Sequence, residues 1–180
     1  MTTPGKWATT WHWAKTVVLA TVAVGLVYAV FTESSGPKAG TMARDFDLPV
    51  VSGEGPRFRL ADQAGTVVVV EVFASWCRAC RAATPVLSEG ARARRRSDVR
   101  FVAVSVDDSR QEALAAAREW GIPFDVTWDD GSFAKSYGIS RLPTFVVVDR
   151  QGKVRASTTG RLSRAKLEGW LTSVGAERLN

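Results

Sequence analysis

Only two cysteines occur in the 180 residues of this chain, and both fall in the stretch FASWCRACRAATP, Phe73 to Pro85. Cys77 and Cys80 are separated by two residues and follow Trp76 directly. A pair at this spacing can be half of a zinc site, a structural staple or a redox couple. A zinc site needs about four ligands, and the chain adds one histidine, His12, far from the pair in sequence. A disulfide closing so short a loop removes little chain entropy, so it is a poor staple. A redox couple instead needs a strand that delivers the first cysteine and a helix that opens on it.

Both are written around the pair. TVVVVEVF, Thr66 to Phe73, is a run of β-branched residues broken by one glutamate, which predicts a central strand buried on both faces. The residues after Cys77 run as a helix towards an arginine cluster, with a kink expected at Pro85. Cys77 then sits at a helix start, where unpaired N–H groups and the helix dipole favour a thiolate. Cys80 lies one turn on, on the same face and within disulfide reach. An exposed attacking thiol with a shielded partner suits thiol–disulfide exchange.

Further elements follow in order. VRFVAVSV, Val99 to Val106, predicts a second buried strand, and DSRQEALAAAREW, Asp108 to Trp120, a helix capped by Asp108 or Ser109 and stopped by Gly121. FDVTWDD holds a short strand and SFAKSYGI a short helix. TFVVVD, Thr144 to Asp149, turns through RQG into KVRASTTG as an antiparallel hairpin. Ser163 to Gly175 is an amphipathic helix with Leu167, Trp170, Leu171 and Val174 on one face. Helices between buried strands imply a parallel part, and the hairpin makes the sheet mixed.

The segments VVVVEVFASWCRACRAATPVL and YGISRLPTFVVVDRQGKV resemble thioredoxin-like proteins, and most closely the membrane-anchored, extracytoplasmic TlpA and ResA type that includes cytochrome c maturation thioredoxins. The resemblance covers roughly Arg44 to Leu171, with ARDFDLPVVSG matching the N-terminal extension of that branch and the segment between Val106 and Tyr137 its extra helix and strand. It implies an α/β thioredoxin fold with a mixed central sheet flanked by helices, reversible dithiol–disulfide chemistry and no cofactor. It also implies that Cys77 attacks and Cys80 resolves. Pro143, in RLPT, matches the family's cis-proline loop, which offers the backbone of Leu142 to an extended substrate segment. Trp76 matches the tryptophan beside the active site, although filling the core is the plainer role for such a residue. Glu71 stands six residues before Cys77, where thioredoxin proper has a buried acid. It is read as the proton acceptor for Cys80, against the alternative of a carboxylate that reaches solvent or pairs with an arginine. Two departures matter: Ala83 replaces a glutamate that many ResA-like proteins carry, and Arg78-Ala79 lacks the proline common between the cysteines. Arg78, beside the thiolate, should make the disulfide somewhat more oxidising, unless it is only a solvated side chain.

The first 40 residues are of another kind. A polar leader with Trp11 and Trp13 precedes TVVLATVAVGLVYAVF, Thr16 to Phe31, which has no charge. It is a little short for a bilayer span, and Lys15 can snorkel. We read residues 1–15 as an N-terminal cytoplasmic segment, 16–32 as a transmembrane signal anchor, 33–43 as a linker and 44–180 as the thioredoxin-like domain. Val27-Tyr28-Ala29 offers an alternative cleavage site. The expected location is a bacterial cell membrane, with the domain on the extracytoplasmic, periplasmic side.

With 24 basic and 18 acidic residues the net charge is +6, much of it in ARARRRSDVR, Ala91 to Arg100, which is read as a solvated helix end. No nucleic-acid motif is present, and no metal or nucleic-acid partner is expected. The expected partners are protein dithiols or disulfides and a membrane electron donor. Three functions compete: a tethered reductant for partners such as apocytochrome c or a copper-site protein, an oxidant that introduces disulfides, and a copper-binding chaperone. The chaperone usually carries a longer cysteine spacing and a downstream histidine, and nothing after His12 supplies one.

Overall fold

The computed structural model describes residues 15–25, 36–94 and 98–176. The chain divides into two units between Ser34 and Ser35. In the first, residues 15–25 form a helix, α1, exposed along its length. Among the described residues no helix is long and apolar enough to cross a membrane. The remainder of the expected span, the tryptophans at 11 and 13 and the alternative cleavage site at 27–29 lie outside the described residues.

The second unit is built on a seven-stranded mixed sheet in the order β2-β1-β5-β4-β3-β6-β7. Its strands are β1 (Asp47–Ser52), β2 (Arg57–Arg59), β3 (Val67–Phe73), β4 (Val99–Ser105), β5 (Asp125–Trp128), β6 (Thr144–Val148) and β7 (Val154–Thr159). The helices are α2 (Arg78–Ala93), α3 (Arg110–Glu119), α4 (Ser132–Tyr137) and α5 (Arg164–Ser173), with a short 3-10 turn at Ala61–Gln63. The expected order of strands and helices from Thr66 onward is the observed one.

The central strand is β3. It pairs in parallel with β4, Val67 opposite Val99 through Phe73 opposite Ser105, and antiparallel with β6, Val68 opposite Val148 through Val72 opposite Thr144. All seven of its residues are buried, which is why it is a near-unbroken run of β-branched side chains. Alternation sends Val68, Val70 and Val72 to one face, where they pack with Phe133 and Tyr137 of α4 and with Phe46 and Phe58. The other face takes Val67 and Val69, packed with Ala83 and Leu87 of α2 and Leu167 and Leu171 of α5. Phe73 continues this second face towards Ala116 and Ala117 of α3.

Local sequence sets the helix ends. Ser109 caps α3 in a reciprocal capping box with Glu112, and Ser163 caps α5 by accepting from the Lys166 N–H. The α2 helix continues through Pro85, which forfeits one backbone hydrogen bond to the preceding turn. Where α2 passes α5, Gly90 makes the approach possible, since a Cβ there would lie 2.9 Å from a Leu167 methyl.

Three findings were not expected from the sequence. The extension before β3 is itself strand: β1 pairs antiparallel with both β2 and β5 and so widens the sheet. Residues 36–43, read as part of the linker, are also tied down, with Gly36 N–H donating to the Gly138 carbonyl, Gly40 to Val154 and Ala43 to Gly152. The solvated reading of the arginine run also fails at Arg94. Its side chain is 1% exposed and donates to Glu168 Oε2 at 2.6 Å and to the Ala176 carbonyl at 3.2 Å. It locks the end of α2 to α5 and to the chain after it.

Removing one partner of a buried ion pair strands the other. Arg94→Ala should lower unfolding stability by about 2–3 kcal/mol, less than for a wholly buried pair because Glu168 retains partial exposure. Urea titration checks this, as a lower midpoint with an unchanged slope.

Candidate active site

The site begins where β3 ends. The chain leaves the sheet at Phe73, makes a short turn through Ala74–Trp76, and enters α2 with Cys77 as the N-cap residue. Cys77 has extended backbone angles, φ −84° and ψ 97°, and its sulfur accepts the Cys80 N–H at 3.1 Å. One of the first-turn donors of α2 is thus aimed at sulfur rather than at water. Cys77 and Cys80 are joined as a disulfide with Cα atoms 5.3 Å apart. Cys77 retains 7% exposure and Cys80 none, so a partner can reach only the first sulfur.

The residues around the pair come from separate elements. Leu142 packs against the cluster formed by Cys77, Cys80, Phe73 and Ala103. The Leu142–Pro143 peptide bond is cis, and the Pro143 carbonyl accepts the Gly160 N–H at 2.8 Å. Trp76 is 72% exposed, so it fills no core and lies open beside the disulfide. Arg78 is exposed at the first helical position. Ala83 is buried beneath α2. The structure therefore brings Trp76, Arg78 and Leu142 to the two cysteines.

Glu71 lies deeper. It stands opposite Ala103 on β4 and Phe145 on β6. Its parity with Val69 and Phe73 places it on the sheet face covered by α2, the helix that carries Cys80. The side chain is 1% exposed, and Oε1 has no hydrogen-bond partner among the described residues. Neither solvent nor an arginine takes up its charge there. Burial pushes the carboxyl up to about 8.

Sequence reading missed two residues at this end of the sheet, Ser75 and Asp107. Asp107 lies just past β4 and is buried. Its carboxylate accepts the Ser75 N–H at 2.9 and 3.0 Å, the Ser75 hydroxyl at 2.8 Å and the Ser105 hydroxyl at 2.7 Å. The available signal was an acid directly after a buried strand, at the carboxyl end of the sheet where sites form in such folds. Among the described residues, no group of three His, Cys, Asp or Glu is placed to hold a metal ion.

The Glu71 geometry sets a pH dependence. In the unfolded chain its carboxyl titrates near 4.5, and in the folded chain near 8. Between those values the folded state binds more protons, so stability falls as pH rises through the window and levels off above it. The loss is on the order of a few kcal/mol. Glu71→Gln should remove this slope and be more stable than the parent above pH about 8. Urea midpoints measured on both sides of the window check it, and an unchanged slope in the variant would show that the dependence arises elsewhere.

Comparison with known proteins agrees with this geometry. Residues 38–171 match the Redoxin family. A thiol-disulfide oxidoreductase ResA from Geobacillus thermodenitrificans is 28% identical over 165 residues, covering 89% of this chain and 94% of that protein. A thiol:disulfide interchange protein DsbE from Xylella fastidiosa is 30% identical over 140 residues, covering 77% and 70% respectively. A crystal structure of a thioredoxin-family thiol:disulfide interchange protein from Chlorobium tepidum superposes with a TM-score of 0.67 over 78% of this chain and 99% of that one, at 23% identity, a likeness of fold. The chain belongs to the Redoxin family, as a thioredoxin-like thiol-disulfide oxidoreductase of the ResA and DsbE type.

Proposed function

We propose that this protein is a membrane-tethered reductant of particular extracytoplasmic protein disulfides, such as those of apocytochrome c or copper-site proteins, recharged by a membrane electron donor. The observation that carries the reading is the Cys77–Cys80 pair, with Cys77 at the start of α2 keeping slight exposure and Cys80 fully enclosed. The uncharged run from Thr16 to Phe31 supports the tether, with residues 16–32 as anchor and the domain from 44 on the periplasmic side of a bacterial membrane. The names of the relatives, a thiol-disulfide oxidoreductase and a thiol:disulfide interchange protein, support exchange with protein cysteines as the chemistry.

In this reading the reduced Cys77 thiolate attacks one sulfur of the partner's disulfide. That bond breaks, the leaving sulfur takes a proton from solvent, and Cys77 is joined to the partner. Trp76, Arg78 and the backbone at Leu142 and Pro143 form the surface on which an extended partner segment lies. Cys80 then gives its proton to Glu71 in its ionised form, the minor form near neutral pH, and attacks the Cys77 sulfur. The partner's second sulfur leaves as a thiolate, so the partner has gained two electrons and the protein holds the disulfide. A shielded thiol ionises poorly in apolar surroundings. A carboxyl that titrates near 8 exchanges protons close to neutral pH, matched to that task, and the two groups titrate as a coupled pair.

Insulin reduction driven by dithiothreitol tests the assignment. Cys77→Ser should abolish it, and Cys80→Ser should accumulate mixed disulfides in cells. Glu71→Gln should slow release of the mixed disulfide more than the initial attack. Full activity of the Cys77 variant overturns the reading, and a reduction potential near those of strong oxidants reverses the direction of electron flow. The tether is tested separately. The full-length chain should stay in membranes through a high-salt wash at unprocessed mass, and a product beginning near residue 30 would show a cleaved signal instead.

A further inference from the structure

The turn between β3 and Cys77 does little to hold itself. Its one internal backbone hydrogen bond among the described residues joins the Cys77 N–H to the Ala74 carbonyl at 3.0 Å. The rest of its support comes from outside. Asp107 grips the turn at Ser75, two residues before the sulfur, through both the backbone N–H and the hydroxyl. The same aspartate is itself fixed on two sides. Ser105 at the end of β4 donates to its carboxylate and accepts its N–H at 3.1 Å, and the Trp128 indole N–H at the end of β5 donates to its carbonyl at 2.8 Å. No arginine or lysine pairs with this carboxylate among the described residues, although it is only 3% exposed.

A buried carboxylate satisfied entirely by neutral donors is a costly way to close a turn. An asparagine would offer one acceptor oxygen and a competing donor, and could not receive the amide and both hydroxyls as donors. We propose that Asp107 is a positioning residue for the exchange reaction: it holds Ser75, and through it Cys77, so that the attacking sulfur stays against the first N–H groups of α2 when the pair is reduced. The consequence is chemical as well as mechanical. A thiolate held at a helix start is stabilised only in the dithiol form. Loosening the turn removes that stabilisation and favours the disulfide.

The inference rests on Cys77 as the attacking thiol, so the test reports on the two separately. The full chain and its Asp107→Asn, Ser75→Ala, Ser75→Thr and Ser105→Ala variants are equilibrated with glutathione, assayed for attack on insulin, and melted. Asp107→Asn should shift the equilibrium towards the disulfide by about tenfold, or about 30 mV, and slow attack by about tenfold or more. Ser75→Ala, which retains the backbone grip, should shift both in the same direction by less. Ser75→Thr, with both donors, should match the parent. Ser105→Ala, which removes one support of Asp107 itself, should shift both in the same direction as Asp107→Asn, by less. If Asp107→Asn moves the equilibrium towards the dithiol and Ser75→Ala leaves it unmoved, Asp107 acts as a bare charge and the proposal falls. It falls equally if every variant changes the melting temperature only. Should Asp107→Asn fail to fold, Ser75→Ala decides alone, and parent-like potential and rate in that variant overturn the proposal. An active Cys77→Ser chain would instead remove the assignment of the nucleophile.

Discussion

The first turn of α2 begins with backbone N–H groups that have no carbonyl within the helix to receive them. The rest of the domain is organised around placing a sulfur atom there. The strand β3 is buried on both faces and flanked by β4 and β6, so its end is one of the most firmly fixed points in the sheet. Because the turn after it is only a few residues long, Cys77 inherits that position as the N-cap of α2. Cys80 follows as a matter of helix geometry, one turn on and facing inward. What remains is to set the environment of two sulfurs, and that is done by Glu71 from within β3 and by two residues distant in sequence, Leu142 from the segment before β6 and Asp107 from beyond β4.

Glu71 and Asp107 are both buried acids, yet they are opposite solutions to the same problem. Asp107 receives hydrogen bonds from Ser75 and Ser105, and its charge is spread over neutral donors. Glu71 has one oxygen with no partner and sits among apolar neighbours, so the neutral carboxylic acid is the favoured form over most of the physiological range. The first carries charge and holds a backbone in place. The second, in the function proposed above, gives and takes a proton. The difference is written in the neighbouring residues: serines around the one, valines around the other.

Much of this was readable in the chain because the signals are local. The all-buried strand announced itself by composition, α3 by its Ser109 cap and Gly121 stop, and the cysteine pair by spacing. What escaped depends on partners far away in sequence. The strand β1 is short, contains Pro49 and carries one fully buried side chain, Leu48, so its pattern is too weak to read without β5 beside it. Arg94 looks like any other arginine in a basic run until Glu168 and Ala176 close over it. Asp107 is one of two successive aspartates after a strand, and only the return of Ser75 to the same place distinguishes it from a helix cap. Residues 95–97 of the arginine run lie outside the described residues.

A sheet of seven strands has two edges, and an open edge is a template on which a second chain can add. Here β2 is three residues long, and its two arginines pair with Asp47 on the neighbouring strand. At the other side, residues 40–43 lie against the start of β7 and occupy hydrogen-bonding groups of Val154 that would otherwise face outward. A thiol-disulfide oxidoreductase of this family exchanges bonds with the cysteines of other protein chains. Short, charged or covered edges let a partner chain be handled through its sulfur without being recruited into the sheet, which separates exchange at the cysteines from strand-by-strand association.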